Sequence, residues 1–92
     1  MFGPTTISNL KAEDIGADYV IITWETNHKA TSKVSYGDNY DYGQDVQTTK
    51  RTKLHQVKIE NLEPNKIYYY EVMSQGKSYV FDARHEFVTL EK

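Results

Sequence analysis

Three histidines, His28, His55 and His85, are the first residues of this 92-residue chain that could do chemistry. An imidazole can ligate zinc or move a proton near neutral pH. Zinc needs three or four ligands converging at about 2.0–2.3 Å, and strand-borne sites usually show paired ligands two residues apart. No His-x-His, His-x-x-x-His or His-x-Asp pair occurs. His28 falls in a turn and His85 in the last extended segment. His55 shares the inward phase of Val57 and Ile59, so it is expected at the rim of a core, bonded to backbone. Asp38, Asn39, Asp41 and Asp45 offer oxygens suited to calcium, but their spacing lacks both the alternation and the closing glutamate of a calcium loop. They read as a turn bonding its own backbone. The expectation is no metal and no cofactor.

Nucleophilic catalysis needs a hydroxyl or thiol beside a base, with donors for the developing oxyanion. There is no cysteine and no Gly-x-Ser-x-Gly elbow, and Glu60 and Glu63 flank a turn as solvated acids. No catalytic residue is expected. The absent cysteines also exclude a disulfide framework and a thiolate zinc site. A net charge of −2 argues against nucleic acid as the main partner. No apolar run approaches the roughly 20 residues that span a bilayer, so no membrane insertion is expected. No signal-peptide pattern is present, which puts any export signal outside these residues.

The elements that must position these residues are strands. Eight tyrosines suit pleated surfaces, and no long stretch shows a 3.6-residue apolar repeat. Residues 1–4 read as a lead-in to one domain over 1–92. A first strand over 5–12 slips phase once, at a bulge near Ser8 and Asn9. In 18–26, Val20, Ile22 and Trp24 face inward. Asn27, His28 and Lys29 form a turn before a third strand over 30–36, with Val34 and Tyr36 inward. Residues 45–50 form a short edge strand, and Lys50, Arg51 and Lys53 a basic cluster that discourages edge-to-edge pairing. Strands over 54–60 and 67–74 precede a turn at Gln75, Gly76 and Lys77. The last strand, 78–90, breaks near Asp82 and Arg84 before Phe87 and Thr89 turn inward. The alternation selects a core of Val20, Ile22, Trp24, Val34, Tyr36, Val57, Ile59, Leu62, Tyr68, Tyr70, Val72 and Phe87. A chain of this length buries about 60–65% of its unfolded surface, enough for one core and a monomeric fold.

Between the fifth and sixth strands stands Leu62-x-Pro64-x-x-x-Tyr68. Together with Pro4, Trp24-x-Thr26, Val34-x-Tyr36-Gly37 and Tyr68-Tyr69-Tyr70, it resembles the tyrosine corner and flanking strands of fibronectin type III domains. The chain is most similar to the bacterial and archaeal members, and domains preceding purple acid phosphatase catalytic domains look similar too. Lys66 stands where threonine is commoner. The resemblance implies an all-β, seven-stranded antiparallel Greek-key sandwich of immunoglobulin-like type, with Trp24, Tyr36, Leu62, Pro64 and Tyr68 as its structural core and corner. It further implies a non-catalytic spacer module of a larger extracellular or cell-surface protein, positioning neighbouring domains. The alternatives are a protein- or carbohydrate-binding adhesion module, or an accessory domain before a metallophosphatase or glycoside hydrolase.

Tyr40 and Tyr42 could stack on sugar rings, and the preferred reading is that they cover an open end of the sandwich. On the outward phase, Tyr69, Met73 and Val88 form a candidate face for a neighbouring domain or other partner.

Overall fold

Alternation carries straight through where turns are expected. The computed structural model describes residues 3–92, so the lead-in reading of 1–4 lies outside the described residues at positions 1 and 2. Five strands follow in order: β1 (Ile7–Ile15), β2 (Val20–Gly37), β3 (Gln44–Ile59), β4 (Ile67–Gln75) and β5 (Tyr79–Val88). All pair antiparallel, in the order β1-β2-β4-β5 with β3 also on β2. There is no helix among the described residues. The result is an all-β, sandwich-like fold.

Seven strands are expected from the sequence, and five are found. The segments 18–26 and 30–36 are one strand in β2, and 45–50 and 54–60 are one strand in β3. Neither strand contains a glycine or proline before Gly37 to stop it. Asn27, His28 and Lys29 do not turn the chain. Instead the β2–β3 register slips between Glu25 and Ala30 and again between Ala30 and Ser32. The slips bend the paired strands while even-numbered residues stay buried from Val20 to Tyr36, Asn27–Lys29 aside.

The first half of β2 therefore pairs with β1 and with Leu54–Ile59, whereas its second half pairs with Gln44–Thr48 and with β4. These two groups share one core. Its buried cluster consists of the twelve residues that the alternation selects, with Ile7, Leu10, Ala12, Ile15 and Val46 packed around it. Trp24 is the largest fully buried side chain, and its burial removes about 200 Å² from water, about 5 kcal/mol of hydrophobic stabilisation before entropy. Its indole N–H donates to Ser74 Oγ at 2.9 Å, joining β2 to β4 through the core.

Two bulges fall where the sequence breaks phase. In β1 the register shifts between Ser8 and Lys11, with Asn9 in the left-handed region at φ 54°. In β5 it shifts opposite Tyr70 and Val72, where Arg84 has φ 66°.

The loops gather into two poles. At one, Asn27 bonds Thr6 and Pro4, Lys77 N donates to Thr5 Oγ1, and the Arg51 guanidinium lies 3.5 Å from Gly76 O. At the other, Leu62 N donates to Asp18 O, Leu90 N to Gly16 O and Asn65 N to Leu90 O. The chain thus leaves β5 at the corner pole.

Candidate interaction surfaces

The corner is built around Tyr68, buried against Phe87 with ring centroids 5.6 Å apart. Its hydroxyl accepts the Glu63 backbone N–H at 2.8 Å. Thr89 closes the loop from the other side: its hydroxyl donates to Glu63 O at 2.6 Å and accepts the Lys66 N–H at 3.0 Å. Leu62 is buried beneath the corner, and Pro64 is exposed on it. Lys66 bridges Glu63 at 2.8 Å and Asp38 at 2.9 Å. Those two carboxylates, Glu63 foremost, hold its ammonium above the ordinary lysine range. A lysine at this position therefore ties the corner to the β2–β3 turn.

His55 is buried, and its partners are hydroxyls rather than the backbone expected from sequence. Its ring stacks on Trp24 at 4.9 Å and 5°. Thr26 Oγ1 spends its single proton on His28 O at 2.7 Å, so it must accept from His55 Nε2, 2.9 Å away. Ser32 Oγ, 2.6 Å from Nδ1, then donates to the ring. The hydroxyls fix the neutral Nε2–H tautomer, and burial pushes the imidazole below its usual value. His28 Nε2 lies 3.1 Å from Gly3 O, and His85 Nε2 2.6 Å from Asp82 Oδ1. The three histidines stay apart, and no group of three or more ligating side chains forms among the described residues. In the β2–β3 turn, Asp41 N donates to Asn39 Oδ1 at 2.8 Å, an Asx turn.

Tyr40 and Tyr42 do not cover an end of the core. Tyr40 packs on Tyr69 at 4.7 Å, on the outward face of β4, with Tyr42 against it at 6.4 Å. The Arg84 guanidinium sits 5.0 Å from the centre of the Tyr40 ring. Tyr42 and Arg84 both occupy the left-handed region, at φ 59° and 66°, where bulky residues are rare. Gly37 is needed beneath them, because a Cβ there would run into the Tyr42 carbonyl. Tyr69 is consequently half-buried.

The rest of the outward face carries two apolar patches. Ile67 and Val88 are exposed cross-strand partners beside the corner pole. Met73 pairs with Phe81, and Phe81 stacks on Tyr79 at the opposite end. Glu71 stands between Tyr69 and Met73 on β4, whereas Val88 pairs with Ile67, two residues before Tyr69 on the same face. Tyr79 and Phe81 are not evident from sequence. Phe81 and Phe87 share a parity, yet Phe81 is 58% exposed and Phe87 is 5% exposed. The bulge at Arg84 flips the strand between them, and Asp82 and Arg84 within an apolar run were the only sign of it. Leu54, also exposed, faces the other sheet surface opposite Glu25.

A family model described as "Purple acid Phosphatase, N-terminal domain" matches residues 7–89. Among solved structures, a computationally redesigned β-sandwich protein is similar at a TM-score of 0.70 and 21% sequence identity, over 99% of this chain and 98% of that one. At that identity the likeness concerns the fold. No curated protein matches the chain.

Proposed function

We propose that this chain, which belongs to the family of purple acid phosphatase N-terminal domains, is a non-catalytic accessory domain that positions a following phosphatase domain. The family match carries the reading, since it runs from the first residue of β1 to just beyond β5. Two structural features support it. The chain leaves β5 at the corner pole, and the exposed pair Ile67 and Val88 lies beside that exit. A domain attached there would meet Val88 first, and Tyr69 under Tyr40 next. Met73 would join only a partner wide enough to pass Glu71.

The reading includes the finer architecture. The register slips between Glu25 and Ala30 and between Ala30 and Ser32 support a finer division of β2 and β3 into two segments each, as in the seven-stranded Greek-key arrangement of fibronectin type III domains. It also includes a monomeric isolated domain and an extracellular or cell-surface location, both consistent with a cysteine-free sandwich. Spacing is the simplest form of the role, and contacts between such domains commonly bury only about 600–1,500 Å².

The test compares amide chemical shifts of the 92-residue chain with those of the same residues joined to the phosphatase domain. Changes at Ile67, Tyr69, Val88 and Leu90 are expected. Changes confined to residues 90–92 would contradict a docked domain.

A further inference from the structure

Charge is divided between the two poles. The segments that meet at the pole away from the corner are 3–6, 27–29, 48–53 and 75–79, and none contains an aspartate or glutamate. The same segments hold Lys29, Lys50, Arg51, Lys53 and Lys77, five of the eleven basic residues of a chain whose net charge is −2. All five are exposed. The salt bridges among the described residues use Lys11, Lys33, Lys58, Lys66 and His85, and none of these five. Hydrogen bonds between the segments hold them together: Asn27 with Thr6, Lys77 N with Thr5 Oγ1, and Arg51 against Gly76 O. An acid-free cluster of unpaired cations on an acidic protein makes a local positive field that nothing in the fold uses.

Beside this pole the outward face offers a shallow concavity of about 190 Å³. Thr31, Thr49, Gln47 and Gln75 line it with hydroxyls and carboxamides, Lys33 adds a charge, and Tyr79 forms one wall. Tyr79 is exposed, lies across the ladder from Gln75 and stacks at 6.5 Å on exposed Phe81. An aromatic platform flanked by amides and hydroxyls suits a sugar ring, whose C–H face stacks and whose hydroxyls need two-way hydrogen bonding. Arg51, against the carbonyl of the residue after Gln75, connects the platform to the cations.

We propose that this pole and its platform bind an acidic polysaccharide, Tyr79 stacking on a ring while Lys50, Arg51 and their neighbours meet its anionic groups. The cations stand exposed on three separate segments, 27–29, 48–53 and 75–79, with no enclosed pocket among them, which fits an extended chain rather than a single small anion. Duplex nucleic acid carries a charge about every 1.7 Å and would bring many phosphates against a protein with thirteen acidic residues. A polysaccharide with one charge per ring lays only a few charges on the pole. The site lies opposite the corner pole, so it leaves the docking end free.

The test titrates the 92-residue chain with oligogalacturonate, with neutral dextran of equal length, with single-stranded RNA of equal charge and with vesicles containing phosphatidylglycerol. Oligogalacturonate should perturb the amides of residues 50–53 and 75–81, and dextran should leave them in place. The paired substitution Lys50→Gln and Arg51→Gln, and separately Tyr79→Ala, should each weaken binding about tenfold. Raising ionic strength from about 0.01 M to about 0.15 M shortens the screening length from about 30 Å to about 8 Å, and should weaken it as well. Thermal melts verify that each variant is folded, and Lys53→Gln with Lys77→Gln repeats the charge test if the first pair is not. Absence of shifts at the pole would overturn the proposal. So would equal or tighter binding of RNA or vesicles, or full binding by Tyr79→Ala, since charge alone would then be responsible.

Discussion

The backbone N–H of Glu63 donates to the hydroxyl of Tyr68, at 2.8 Å and half-buried beneath the corner. The phenol is the acceptor here, so its loss strands a donor. Tyr68→Phe keeps the ring on Phe87 and leaves that N–H unpaired, which should cost about 1–3 kcal/mol. Tyr69→Phe, one residue on and facing outward, should cost under about 0.5 kcal/mol. Chemical denaturation of both variants checks the pair, and equal losses would contradict the corner.

His55 sets a pH dependence. Folding buries the ring and lowers its pKa below the ordinary value of 6.5, while the unfolded chain keeps that value. Between 6.5 and the lower folded value the unfolded state binds the extra proton. Stability should therefore be fully present above 6.5 and decline as pH falls through that window. An NMR titration should show His55 as the Nε2–H tautomer, titrating below 6.5, and His55→Gln should flatten that part of the stability curve. Titration at or above 6.5 would contradict the burial of the ring.

The bulge in β5 predicts opposite fates for two phenylalanines of equal parity. Phe87→Ala removes a core ring and should cost about 3–5 kcal/mol. Phe81→Ala removes an exposed ring that stacks on Tyr79 across from Met73 and should cost under about 1 kcal/mol. Melting midpoints of the two variants decide it; a comparable loss in both would mean that the strand does not flip at Arg84.

The interior was legible in the sequence because a period of two survives local irregularity. Every apolar residue from Val20 to Phe87 selected for the core lies in the buried cluster. Strand count was less legible. Asn27, His28 and Lys29 have turn propensity, but no glycine or proline forces a stop, and the neighbouring ladders carry β2 through them. The outward face was the hardest to read. Tyr40 crosses from a turn to cover Tyr69, and the flip at Arg84 turns Phe81 out; both depend on positive φ values at bulky residues, which composition does not announce. The unpaired pole was visible only as Lys50, Arg51 and Lys53. Lys29 and Lys77 join it through folding.

The accessory role is tested most directly by how the domain tumbles when joined to the phosphatase domain. Backbone ¹⁵N relaxation gives a rotational correlation time for each domain separately. If the corner pole and the Ile67–Val88 pair dock, both domains should share one correlation time. Replacing Ile67 with lysine and Val88 with glutamate, an opposite-charge pair across the ladder, should release the domain with little change in its own melting point, because both side chains are exposed. A shorter, independent correlation time in the unaltered protein would contradict the account and leave a freely tethered module.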